Sequence, residues 1–423
     1  MTILAPVATE AGWRRMIAVA TTPPYSWFLL GEIADTISVW MGRLALGWLV
    51  WELTRSPAWL GILSFIKFAP TIVLGLVGGV LADRMSRRTL VIAVQAAAVA
   101  KSVAILALLA TGALGLPMLI AIEFSIGTAI ALSQAASKTI ITRMVSEDRL
   151  SAAIALDSVV FNVAAMIGPA IAGAIMLGFD LLTCFAAIAV LQAINLAVLA
   201  AVVPGDLASR ATPGESMLQS INAAMRYALH HPAIGPLLLL HLAFTLCVRP
   251  LVDMLPAFAG GVLGEGVHAV SLLTSALGAG AIASGLWLAS RRSHAGLCRI
   301  VLHGMLWLGV AMIGFAAAPT IAVAAPIAIV IGVGMTVRGA GIQTLIQIAA
   351  TDHLRGRVLS FYGLVLNGGA ALGAAAMGGL AEWLGLRLAI EAMALASLAI
   401  WAAIMTRRRA MEAALEPDAP KIA

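Results

Sequence analysis

The stretch GGVLADRMSRR, Gly78 to Arg88, decides how the rest of the chain is read. Two glycines and an apolar run give way at once to Asp83 and then to three arginines, Arg84, Arg87 and Arg88. A chain changes this abruptly where a helix leaves a bilayer, because charged side chains are costly in hydrocarbon and collect at the water boundary.

The composition around this stretch agrees. The 423 residues are 61% hydrophobic and 11% charged, with a mean hydropathy of +1.02. Soluble domains are roughly half apolar and about a quarter charged, so a soluble core is excluded and the lipid bilayer is the expected surrounding. In a soluble protein the net charge of +6 would point to nucleic acid. In a membrane chain it marks topology, and no nucleic-acid partner is expected. Cys184, Cys247 and Cys298 stand alone in apolar segments. They form no metal-ligand spacing and no disulfide framework. Trp13-Arg14-Arg15 is followed by Pro23-Pro24 rather than by a continuous apolar run, so no cleavable signal peptide is expected. The chain has no phosphate-binding Walker loop, nucleophile elbow or metalloprotease motif. It is therefore read as a non-enzyme without a cofactor or metal, and ATP is not its direct energy source.

A spanning helix needs about 20 mostly apolar residues. Twelve stretches qualify: 27–52, 58–82, 89–111, 116–140, 151–178, 181–203, 233–257, 267–289, 297–317, 320–349, 357–381 and 385–405. The long polar break at 204–232, with an amphipathic helix expected near Ser216–Ala228, separates a first half (1–203) from a second (233–423). The arginines alternate between the connections. Arg14, Arg15, Arg84, Arg87, Arg88, Arg143, Arg149, Arg210, Arg226, Arg291, Arg292, Arg355, Arg357 and Arg407 to Arg409 fall on one side, and only Arg55 and Arg387 on the other. Positive residues stay on the cytoplasmic side, so both termini are expected there.

The halves also repeat. Leu81-Ala82 before Asp83-Arg84 matches Leu288-Ala289 before Ser290-Arg291, and Ser146 to Leu150 matches Ala350 to Leu354. Arg43 matches Arg249. All three offsets are roughly 205 residues, as a duplicated six-helix unit with a site between its copies requires.

At these residues the chain resembles the major facilitator superfamily. Gly79 to Arg88 is similar to its cytoplasmic signature G-x-L-A-D-R-x-G-R-R/K, with Ser86 where the second glycine usually stands. The second copy, Gly285 to Arg291, has lost the aspartate. The stretches LGWLVWELTRSPAWLGIL, FNVAAMIGPAIAG and DHLRGRVLSFY resemble the enterobactin-exporter-like branch, which also holds macrolide-efflux-type proteins. The resemblance implies an all-α fold of twelve transmembrane helices in two pseudo-symmetric six-helix bundles. It implies that Asp83, with Gly79, Arg84, Arg87 and Arg88, latches the halves on the cytoplasmic side. Gly168, Pro169 and Gly173 resemble the antiporter signature of the fifth span, with Ala172 replacing one glycine. A glycine-proline step also bends and packs a helix whatever the direction of transport.

Charges inside spans are costly and usually face a cavity. Glu32 and Arg43 project within roughly 20° of each other on the first span, with Asp35 within roughly 80° of both. Arg249 and Asp253 are one turn apart on the seventh span, which Pro250 and Pro256 are expected to bend. In the superfamily these two spans line the central cavity. Arg43, Arg249, Arg338, Glu32 and Asp253 are therefore the candidate substrate-binding residues, although Arg249 with Asp253 and Arg43 with Asp35 could simply neutralise each other. Asp35 and Glu123, which have no arginine on the adjacent turn, are the candidates for proton coupling. Lys67 and Lys101 either reach toward water or pair with acids. His241 and His303 read as hydrogen-bonded helix residues more readily than as proton shuttles.

The resulting expectation is a bacterial inner-membrane secondary transporter, working as a monomer with protons and a small-molecule substrate as partners. Its action would be proton-coupled export, by alternating access, of an amphipathic or anionic molecule such as a siderophore. The alternatives are a multidrug or macrolide-type pump, an importer or lysophospholipid transporter on the same framework, and a non-transporting membrane sensor.

Overall fold

The computed structural model of the chain describes residues 9–84, 86–137, 144–203, 225–228, 230–291 and 293–415. They form helices α1 (Thr9–Ala20), α2 (Tyr25–Thr54), α3 (Pro57–Arg84), α4 (Arg87–Ala110), α5 (Leu116–Ser137), α6 (Glu147–Gly178) and α7 (Leu181–Val202). After the linker come α8 (Ile234–Cys247), α9 (Leu251–Ala257) with a π-helical turn Phe258–Val262, α10 (Val267–Ser290), α11 (Leu297–Ala317), α12 (Ile321–Ala349), α13 (Asp352–Leu384), α14 (Leu386–Met405) and α15 (Arg408–Leu415).

Among the described residues, ten helices are long and apolar enough to cross a membrane, and Leu116–Leu132 of α5 is a shorter apolar segment. The helices α3 and α5 occupy the places of the two remaining expected spans. Most of the linker and of the helix expected near Ser216–Ala228 lies outside the described residues, although 225–228 is helical. The short flanking helices α1 and α15 were not expected from hydropathy, because both are rich in charge. Burial of Met411 and Leu415 docks α15, and Arg408 and Arg299 both bond Glu412 across its surface, at 2.7 and 3.3 Å.

Local chemistry sets the breaks. Arg55, in the left-handed conformation at φ 51°, closes α2 by donating its N–H to the Trp51 carbonyl at 2.8 Å. The Asp180 carboxylate accepts the Thr183 N–H at 2.7 Å and so caps α7, and hydrogen bonding from the Thr183 side chain and backbone holds the carboxyl below its ordinary range. Ser86 caps α4 through the Thr89 N–H. At Pro250, which has no N–H to give, the seventh span interrupts its ladder and restarts as α9. Pro256 and the π-turn follow about two turns later.

The helices pack among themselves within 25–202 and within 234–405, and the most extensive single helix pair joins the two groups. Two seams join the groups, α3 against α13 and α6 against α10. Small residues let the backbones meet there, as in membrane packing generally. Gly61 lies on the Ala374 backbone of α13, and a Cβ on Gly378 would come within 2.7 Å of the Pro57 carbonyl. Ser271 of α10 donates to the Pro169 carbonyl of α6 at 2.8 Å, and Gly173 makes room for the Ser271 side chain. Gly168 faces the other way, against Trp40 and Ile37 of α2. The Gly168, Pro169 and Gly173 step thus packs α6 between its own neighbour and the second group.

Candidate functional site

A cavity of about 420 Å³ lies between α2, α3, α4, α5, α6 and α7 on one side and α9 and α10 on the other. Four cations line it, Arg43, Lys67, Lys101 and Arg249, against three carboxylates, Asp35, Glu123 and Asp253. Trp40 and Phe161, in edge contact at 5.6 Å, and Phe68 and Phe185 supply apolar wall.

The charges are held unequally. Arg43 donates from Nη2 and Nε to one oxygen of Asp253, at 2.7 and 3.2 Å, and so ties α2 to α9. Lys101 of α4 forms an ion pair with Glu123 of α5, which is almost wholly buried. Asp35 accepts a 2.8 Å hydrogen bond from Gln95, whose amide also bonds the Gln192 carbonyl. Ser102 completes this net by donating to the Gln192 side chain at 2.7 Å. Lys67 stands within electrostatic reach of Glu123, Lys101, Arg43 and Asp253 but bonds none of them. Gly127 of α5 lies on the Lys67 carbonyl and fixes its backbone. Arg249 sits over the Phe68 ring at 5.3 Å, and its Nη1 is buried without a hydrogen-bond partner, as is Oδ2 of Asp253.

Several placements differ from the sequence reading. In place of the alternative pairing of Arg249 with Asp253, Arg43 pairs with Asp253, because the break at Pro250 interrupts the helix on which Arg249 and Asp253 would be one turn apart. Glu123 has no cation on its own helix but receives Lys101 from the next. Glu32 lies outside the cavity lining, on the side of α2 that brings it within electrostatic reach of Asp35 and Asp157.

Arg338 is also outside the lining. It is buried between α8, α12 and α13, donates to His241 Nδ1 at 2.8 Å, and lies over the Phe244 ring at 3.2 Å. Because a guanidinium only donates, His241 accepts at Nδ1 and carries its proton on Nε2. The imidazole stacks on Tyr362 at 3.8 Å. His303 bonds the Arg299 carbonyl one turn back.

Of the latch residues, Arg88 reaches the Ala200 carbonyl near the end of α7 at 2.6 Å, a bond within the first group of helices. Gly79, Asp83, Arg84 and Arg87 have helical backbone, and their side chains lie outside the described residues. Sequence reasoning missed Gln95 and Tyr362 and undervalued Lys67. For Lys67 the only signal was a lone lysine at the middle of an apolar helix.

Residues 20–421 match the family model described as "Transmembrane secretion effector". A stretch of 154 residues is 27% identical to the staphyloferrin A transporter of Staphylococcus aureus (strain NCTC 8325 / PS 47), covering 36% of this chain and 38% of that protein. Among solved structures, a bacterial homolog of the human lysosomal transporter Spinster, inward-facing and unoccupied, superimposes with a TM-score of 0.71 at 16% identity over 94% of this chain and all of the other. The nucleoside transporter NupG gives 0.69 at 13% over 90% and 98%. A POT family transporter gives 0.70 at 13% over 91% and 96%. At these identities the structures establish the shared fold. The chain belongs to the transmembrane secretion effector family and is a multi-pass membrane transporter of the major facilitator type.

Proposed function

We propose that the chain exports a small amphipathic anion across a bacterial inner membrane, coupled to inward proton flow, by rocking two six-helix halves about the cavity. The supporting observation is the Arg43–Asp253 bridge, which closes one wall of a cation-rich cavity with one residue from each half. The twelve spans, the halves 1–203 and 233–423 around the linker 204–232, the monomeric state and the cytoplasmic termini complete this reading.

With positive loops inside, several contacts between the halves sit toward the outer ends of their helices. They are Ser56 Oγ on Glu382 at 2.7 Å, Gly378 on Pro57, Gly47 on Pro256, and Gly260 and Gly261 on the Trp51 indole. The outer side is then the closed one, and the cavity awaits cargo from the cytoplasm. Opening outward requires the Arg43–Asp253 pair to part, and an anionic cargo supplies Arg43 with a substitute carboxylate as it does.

The coupling proton is assigned to Asp35 and Glu32. Both lie on α2 and, among the described residues, neither forms an ion pair, so a proton is the charge that relieves them. Glu123 already has Lys101. Asp83 and the arginines beside it form the cytoplasmic latch. A siderophore-like cargo is supported by the partial similarity to a staphyloferrin A transporter.

The test compares culture supernatants of the host and a deletion strain by mass spectrometry in iron-poor and iron-rich media. An iron-regulated acidic metabolite should vanish from the deletion medium and accumulate in the cells. Unchanged supernatants in both media would refute siderophore export and favour drug efflux or uptake.

A further inference from the structure

The charges in the cavity do not all pair, and the two cations left over come from different halves. Arg43 is committed to Asp253 and Lys101 to Glu123, while Asp35 is held by the neutral Gln95 amide. Among the described residues, Lys67 on α3 and Arg249 at the break before α9 make no hydrogen bond or ion pair, although Asp253 stands within electrostatic reach of both. Both line the cavity, and one guanidinium nitrogen of Arg249 is buried and unpartnered. A buried donor without an acceptor costs about 1–3 kcal/mol, more when charged, so the site is incomplete until an acceptor arrives.

The two groups differ in what they recognise. The planar Arg249 fork, laid over Phe68, suits a carboxylate held by two parallel bonds. Lys67 is a point charge that accepts an anion from several directions, and the packing of Gly127 against its carbonyl fixes the position of its stem. Trp40, Phe68 and Phe161 line the same cavity, apolar surfaces fit for the body of a ligand rather than for its charge. One monoanion satisfies one of the two cations. A ligand with anionic groups at both ends satisfies both and bridges the halves.

We infer that Lys67 and Arg249 form a two-sided clamp for a cargo carrying at least two separated carboxylates on an apolar body. This rests on reading the cavity as the cargo site. It adds Lys67 to the binding residues, assigns Arg43 to the closing bridge, and excludes a cationic drug as the preferred cargo.

The test uses the purified full chain in lipid nanodiscs and isothermal titration with the straight-chain diacids from succinate to sebacate. Monocarboxylates and diamines of matching length serve as controls. At least one diacid should bind, with its monoacid about tenfold weaker and the diamine showing no binding. Loss of one charge-assisted contact is worth about tenfold to a hundredfold, so Lys67→Met and Arg249→Met should each weaken diacid binding by that factor. Lys67→Arg should keep it within about threefold. If a methionine variant aggregates, Lys67→Gln or Arg249→Gln gives the same reading. No diacid binding by the parent chain, or equal binding by both charge-removed variants, would overturn the clamp. The larger reading fails separately. Diacid binding as expected with unchanged supernatants from the deletion strain would leave the clamp standing and remove export. Loss of cargo from the medium without diacid binding would remove the clamp alone.

Discussion

Arg43 and Arg338 are both arginines on membrane-spanning helices, and the fold treats them in opposite ways. Arg43 reaches across from α2 to α9 and meets a carboxylate, at the joint between the two groups of helices. Arg338 stays inside the second group, where it meets an imidazole and an aromatic face and, among the described residues, no carboxylate. A charge compensated across the joint can report on whether the joint is closed. A charge compensated within one group stiffens that group and is silent about its movement. The position of the partner, rather than the charge, separates a working residue from a structural one.

The largest expected effect breaks the first pair. Arg43→Met leaves Asp253 uncompensated, and Asp253→Leu does the same to Arg43. Each should abolish transport and cost roughly 3 kcal/mol in thermal denaturation. The double variant Arg43→Met/Asp253→Leu should recover most of the stability and none of the transport. Recovery of transport would show that the bridge is only a fastening.

Arg338→Met sharpens the contrast. It removes a buried cation that has no counter-charge among the described residues but leaves His241 Nδ1 without its donor, so stability should fall by about 1–3 kcal/mol at most, and transport should survive. His241→Leu should cost about 2 kcal/mol by stranding the guanidinium without its acceptor. A loss of transport in Arg338→Met at unchanged stability would place Arg338 in the working machinery.

Two adjacent glycines extend the comparison to packing. Gly378 faces the Pro57 carbonyl and the Gly61 Cα across the α3–α13 seam, whereas a Cβ at Gly379 meets nothing within 4 Å. Gly378→Ala should destabilise by about 1–3 kcal/mol. Gly379→Ala should stabilise by roughly 0.5–1 kcal/mol through the lower entropy of its unfolded chain. Melting curves in detergent decide this pair. The smallest effect belongs to Ser56→Ala, which removes an exposed bond to Glu382 and should shift stability by less than about 1 kcal/mol.

The helices were legible because hydropathy is a local property. Each span is recorded in its own twenty-odd residues, and the break at Pro250 is recorded in a missing N–H. The partners of the charges were not legible. Arg43 and Asp253 lie in different halves of the sequence, and nothing near either residue names the other. The alternative one-turn pairing of Arg249 with Asp253 gave way at the very proline that the sequence displayed. Arg338 was placed in the cavity by its charge alone, whereas burial among Phe244, His241 and Tyr362 decided its place. The flanking helices α1 and α15 escaped notice because they are held by docking rather than by lipid.

The most direct test of the rocking motion fastens the outer ends of the two halves. Ser56→Cys and Glu382→Cys place thiols on facing sides of the seam, and the native Cys184, Cys247 and Cys298 are buried. A short bifunctional methanethiosulfonate should link the pair, stop export in membrane vesicles, and release it again on reduction. Full export with the link complete would contradict a mechanism in which these ends must separate.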